Sequence, residues 1–155
     1  MHKKFATKEA KTGEWSLLRN IATLHEGLEV IVVAADYDVA LSTTQNTNNR
    51  GEEAVVKSAN KCVIDEISSS VQVLTLKAGS VDNTYAFFTG EKDLYAAINT
   101  QNYLKETDEI DGNASWLIEI ADGGATTITA QGANNRNTLL YNQSSKLFSC
   151  YLANS

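Results

Sequence analysis

The chain has 155 residues, 43% of them hydrophobic and 21% charged, with a formal net charge of −6. That is enough chain to bury one real core in a single domain, and it is too rich in apolar residues for a disordered polymer. The acidic balance, with a pI near 4.9, excludes a phosphate-tracking surface, because nucleic-acid binders present a basic stripe. It also opposes anionic membranes.

Residues 1–14 set Lys3, Lys4, Lys8 and Lys11 among Glu9 and Glu14 and read as a flexible N-terminal arm. They hold no apolar stretch of the kind a secretory signal needs. Residues 15–155 read as a single all-β domain. Nowhere does an apolar run approach the ~20 residues of a spanning helix, so no membrane insertion is expected. Cys62 and Cys150 are too few for a disulfide framework and lack metal-ligand spacing; two buried or half-buried thiols are expected, with a single bridge as the alternative. Proline is absent, so turns must come from Gly, Asn, Asp and Ser.

In chain order, Trp15 to Ile21 suits a short strand or a helical turn. Val30-Ile-Val-Val33 is a β-branched run of strand length. Val39 to Leu41 follows, then the turn cluster Gln45 to Gly51, then Ala54 to Val56 and Cys62 to Ile64. A second pass runs through Val71 to Leu76, Tyr85 to Phe88, a turn at Gly90 to Asp93, Leu94 to Ile98, and Tyr103-Leu104. The third takes Trp116 to Ile120, the hairpin-type turn Asp122-Gly-Gly124, Thr126 to Thr129, a turn at Gln131 to Arg136, Leu139 to Tyr141, and Leu147 to Leu152.

These passes repeat at a fixed interval, which marks an internal repeat. First strands start at Glu29, Val71 and Trp116, offsets of 42 and 45, and the turns Gln45-x-x-Asn48-Asn49-Arg50 and Gln131-x-x-Asn134-Asn135-Arg136 lie 86 apart. Three four-strand repeats, at about 28–68, 71–111 and 115–153, predict a β-trefoil-like fold; the alternative is another closed β-barrel or a sandwich. Trp116-x-Ile118 resembles the Gln-x-Trp repeats of ricin-type trefoils, though Ala114 and Ser115 stand before the Trp.

The chain also resembles a module of secreted multidomain proteins of Bacteroides-type bacteria. The matching pieces are Gly27 to Val33, Ala40-Leu41 with Gln45 to Arg50, Leu94 to Ala97, Trp116-x-Ile118, Arg136 to Asn142, and Ser144 to Tyr151. In that family a further strand follows the Cys-Tyr ending, whereas here Ser155 is the last residue. The resemblance implies a secreted or cell-surface setting beside hydrolases or anchoring parts, and no assigned activity.

The candidate ligand-binding residues are Asn48, Asn49, Arg50, Asn134, Asn135 and Arg136, with Tyr103 and Tyr141. Asn tolerates φ > 0 and bonds nearby backbone, and the Arg fork grips a carboxylate, a sugar hydroxyl or turn carbonyls. A repeated turn of this kind fits a structural brace as well as a pair of ligand pockets. Tyr37, Tyr103 and Tyr141 lie near turns, where a ring can stack on a sugar, whereas Trp116, Phe87 and Phe148 read as core. Asp108 to Asn113 lacks the ligand spacing of an EF-hand, and no metal or cofactor is expected. Catalysis lacks material: His2 and His25 have no evident partner, and no nucleophile or phosphate-loop motif is present. The reading is a monomeric, non-catalytic accessory module for carbohydrate or a surface protein; the alternative is a structural or protein-interaction domain without a small-molecule site.

Overall fold

The computed structural model describes residues 3–8 and 13–153. Its strands, in chain order, are β1 (Lys3–Lys8), β2 (Trp15–Leu17), β3 (Glu29–Ala34), β4 (Val39–Gln45), β5 (Arg50–Ala54), β6 (Val63–Ile64), β7 (Leu74–Ala78), β8 (Tyr85–Phe88), β9 (Asp93–Ala96), β10 (Leu104–Thr107), β11 (Trp116–Ile120), β12 (Thr126–Ala130), β13 (Thr138–Asn142) and β14 (Leu147–Tyr151). Two single 3-10 turns, Ile21–Thr23 and Gly112–Ala114, are the helical pieces among the described residues.

The protein is all-β, built on one large antiparallel sheet. Strands β7 to β10 and β11 to β14 each form a four-strand meander. In the first pass β3, β4 and β5 pair in sequence, but β6 joins β2 instead. The pairings also close a circuit. Strand β3 pairs with β7, β7 with β8, β8 with β11, β11 with β12, β12 with β1 and β1 with β3. A closed circuit leaves those six strands no open edge.

The stretch expected as a loose arm therefore contributes a strand. Lys3–Lys8 pairs with β3 along Lys3↔Ala34 to Thr7↔Val30, and with β2. The sequence of β3 explains the need for it. In Glu29–Ala34 every residue after Glu29 is buried. Successive side chains of a strand point to opposite faces, so such a run requires apolar cover on both. Val30, Val32 and Ala34 enter the main core with Leu76, Phe87, Trp116 and Phe148. Ile31 and Val33 enter a second cluster with Ala6, Trp15, Val55 and Ile64. The N-terminal strands and β6 supply that second cover. Residues 1, 2 and 9–12 of the expected arm lie outside the described residues.

Trp15 to Ile21 takes the strand reading, as β2, and a 3-10 turn at Ile21–Thr23 begins only at its last residue. Trp116 is fully buried; it stacks on Phe87 at 5.5 Å between ring centroids, and its Nε1 donates to Leu94 O at 3.1 Å. The Asp122-Gly-Gly turn forms with φ of +86° at Gly123 and +91° at Gly124, values that glycine adopts without steric cost. Both cysteines are free, Cys150 buried and Cys62 half-buried. Strand β5 lies elsewhere than expected. The third run of the first pass begins at Arg50, not at Ala54, and leaves Val56 82% exposed beyond its end.

Candidate functional site

The two Asn-Asn-Arg turns occupy the same place in their hairpins. Gln45 pairs with Arg50 across β4 and β5. Thr129 pairs with Thr138 across β12 and β13, and Ala130 N donates to Asn137 O at 2.8 Å. Continued by one step, that register sets Gln131 opposite Arg136. Each turn thus holds four residues between a Gln and an Arg.

The first turn is closed on itself. Asn46 N donates to Asn49 O at 2.8 Å, and Asn46 Nδ2 to Asn49 Oδ1 at 2.7 Å. Gln45 Nε2 lies within 3.0 Å of the carbonyls of Asn46, Asn49 and Leu104, while Leu104 N donates to Asn48 O at 2.9 Å. The Gln45 side chain and the Asn48 carbonyl therefore serve the outer edge of β10 as a neighbouring strand would.

Arg50 is fully buried. Its Nη1 donates to Gln45 Oε1 at 3.1 Å and to Glu106 Oε1 at 2.5 Å, and its Nη2 to Ser42 O at 3.0 Å and Gln72 Oε1 at 2.6 Å. Burial draws the guanidinium below its ordinary pKa, and the bond and charge of Glu106 draw it back up. Gln72 passes the link on, since its Nε2 donates to Thr89 O at 3.2 Å in the turn between β8 and β9. One buried cation thus ties the first pass to three parts of the second.

The second turn is packed outward against its neighbours. Gln131 N donates to the carbonyls of Gly112 and Ser115. At Gly132 a Cβ would stand 2.5 Å from Asn113 N, and at Gly112 one would stand 2.8 Å from Gly132 Cα. Glycine here permits two backbones to meet. Asp111, from the acidic stretch, caps that 3-10 turn by accepting from Ala114 N at 3.1 Å. Asn134 Nδ2 donates to Ala96 O at 2.7 Å, Asn135 N to Asn99 Oδ1 at 2.7 Å, and Arg136 Nη1 to Asn102 Oδ1 at 3.0 Å. Arg136 remains half-buried, and its buried Nε has no hydrogen-bond partner.

Both turns therefore grip the β9–β10 hairpin, one at Leu104 and Glu106, the other at Ala96, Asn99 and Asn102. Between them the loop 97–103 keeps Asn99, Thr100, Gln101 and Asn102 exposed. Tyr103, half-buried at its end, has the Lys105 ammonium 5.9 Å from its ring centroid. This amide-rich face unites Tyr103, Asn135 and Arg136 of the expected residues. Asn48 and Asn134 are half-buried and hold the β9–β10 hairpin at Leu104 and Ala96, while half-buried Asn49 closes its own turn on Asn46. Arg50 is inside. Sequence reasoning passed over Asn99, Gln101 and Asn102; the run Asn99-Thr-Gln-Asn102, four polar residues between two short strands, is the signal that marks them.

Tyr141 lies elsewhere, 3% exposed on β13. Its ring packs at 5.0 Å on Phe148 and 5.5 Å on Tyr37, and its hydroxyl donates to Glu52 Oε1 at 2.7 Å. Burial first, then the bond to Glu52, pushes its pKa well above the ordinary tyrosine value.

Among the described residues, no group of three or more His, Cys, Asp or Glu is gathered as a metal site, and no helix is long and apolar enough to cross a membrane. The chain matches no protein-family model, no curated protein and no solved structure.

Proposed function

We propose that the chain is a non-catalytic accessory module that binds carbohydrate or another cell-surface ligand. One observation carries the reading: the loop 97–103 is clasped on both sides yet presents its own amides outward. Asn99 and Asn102 spend their carbonyl oxygens on the second turn, which fixes the amides in place. Preorganised donors and acceptors bind with less ordering cost than mobile ones, and sugar hydroxyls require such groups beside an aromatic ring, here Tyr103. On this reading the protein is monomeric and belongs to a secreted or surface-displayed assembly of the Bacteroides type. The two successive four-strand meanders, preceded by the three-strand group β3–β5, are what supports a β-trefoil-like threefold plan; the departure of β6 to β2 and the closed circuit of pairings support the other barrel alternative.

The burial of Arg50 and Tyr141 favours a second reading, a structural or protein-interaction domain without a small-molecule site. A glycan array followed by isothermal titration separates the two. The first reading expects at least one glycan hit, weakened roughly ten-fold by Asn102→Ala or Tyr103→Ala with an unchanged melting temperature. An array without hits sinks it.

A further inference from the structure

We propose that Tyr37 is a stacking platform for a neutral pyranose, with the Glu52 carboxylate as acceptor for the hydroxyls of the same sugar. The inference rests on the binding-module reading but places a second site away from the loop 97–103. Tyr37 stands just before β4, whereas the turn at Gln45 ends it, so the two sites are separated by the length of that strand, about 20 Å at ~3.3 Å per residue.

Tyr37 is 44% exposed, and it is the one exposed aromatic side chain among the described residues. An exposed ring on a loose turn would need no explanation, but this turn is held. The Lys57 side chain is only 5% exposed, and its ammonium donates to the carbonyls of Ala34 at 2.8 Å, Ala35 at 3.3 Å and Tyr37 at 2.8 Å. Val55 N donates to Asp38 O at 3.0 Å on the other side. The ring itself rests on Tyr141, which rests in turn on the fully buried Phe148. A column of three rings thus runs from the core to the surface and fixes the outermost one in place.

Tyr141 is also the common neighbour of Tyr37 and Glu52. Its hydroxyl fixes Glu52 Oε1, while Oε2 has no hydrogen bond to any described residue. A platform and an oriented carboxylate are what a pyranose needs: C–H groups for the ring face, acceptors for adjacent hydroxyls. A cage for a quaternary ammonium needs further accessible walls, and Tyr141 at 3% exposure offers none. Asp36 and Asp38, both exposed beside Tyr37, set two negative charges against the one Lys57 ammonium, 3.9 Å from Asp38 Oδ1, and together with Glu52 the excess repels uronic or sulfated sugars and leaves neutral ones.

The test is titration of the full chain with a panel of neutral oligosaccharides (gluco-, xylo-, manno- and N-acetylchito-oligomers) and with oligogalacturonate as the acidic counterpart. Tyr37→Ala is expected to weaken neutral-sugar binding roughly ten-fold or more, Tyr37→Phe to preserve it, and Glu52→Gln, which keeps an acceptor for Tyr141, to weaken it several-fold. Circular dichroism melts verify that each variant folds. If Tyr103→Ala abolishes binding and Tyr37→Ala leaves it intact, the platform is overturned while the loop-face reading stands. Binding of the acidic oligomer alone also overturns the platform and spares the module. A wild-type chain that binds nothing overturns both.

Discussion

The two Asn-Asn-Arg turns share a motif and a hairpin register, yet they end in opposite environments. In the first, Arg50 is buried and donates to four acceptors drawn from two passes. In the second, Arg136 makes a single side-chain bond to exposed Asn102. What differs is the company each turn keeps. Glu106 and Gln72 stand where Arg50 can reach them, and burying a guanidinium is tolerable only with such partners. The second turn meets backbone instead, at Gly112 and Ala96, and there the Asn side chains and Gly132 do the fastening. A motif repeated in sequence therefore fixes a hairpin, while its surroundings determine which of its residues matters.

Five substitutions sharpen or break this contrast. The largest effect is expected at Arg50. Arg50→Ala leaves Glu106, Gln72 and the Ser42 carbonyl without their donor and should cost about 3–5 kcal/mol in urea unfolding. Arg50→Lys should recover only part of that, because a point charge cannot reach acceptors spread across a planar fork. Next comes the position after each Gln. Gly132→Ala drives a methyl group into Asn113 and should cost roughly 1–3 kcal/mol. Asn46→Ala, its counterpart in the first turn, loses a surface hydrogen bond worth about 1 kcal/mol or less. Smallest is Arg136→Ala, expected to cost about 1 kcal/mol or less, because the half-buried side chain gives up a single hydrogen bond to exposed Asn102. Equal losses at Arg50 and Arg136 would end the distinction between the two turns.

Much of this architecture was legible in the residues. The β-branched run Val30 to Val33, the alternation at Trp116 to Ile120 and the Asp-Gly-Gly turn each carry a local physical signal, and each lies where that signal puts it. The first strand of the second pass begins late, at Leu74, with Val71 reduced to a lone bridge to Ser42. Strand β5 was illegible for a different reason. Arg50-Gly-Glu-Glu carries no apolar pattern, and its one buried side chain is an arginine whose Nη atoms donate to Gln72 and Glu106, 22 and 56 residues away. No window along the chain contains that information. Strand β1 hid similarly, since Lys3, Lys4 and Lys8 suggest solvent while its neighbour β3 demands a partner. At the candidate face the turns were visible and the loop they hold was not. The importance of Asn99 and Asn102 arises from what grips them.

The closed circuit of strands has a consequence for how the protein is made. Its first member, β1, leaves the ribosome before any other, and the strand that completes the circuit, β12, follows more than a hundred residues later. Until Thr126–Ala130 emerges, the nascent chain carries an incomplete ring whose strand edges are open to other chains. Closure of so distant a pairing is slow by its topology, and the interval is one in which aggregation competes with folding. Slowing translation upstream of residue 126 should therefore prolong the vulnerable state, whereas a chaperone that shields strand edges should raise the yield of folded protein.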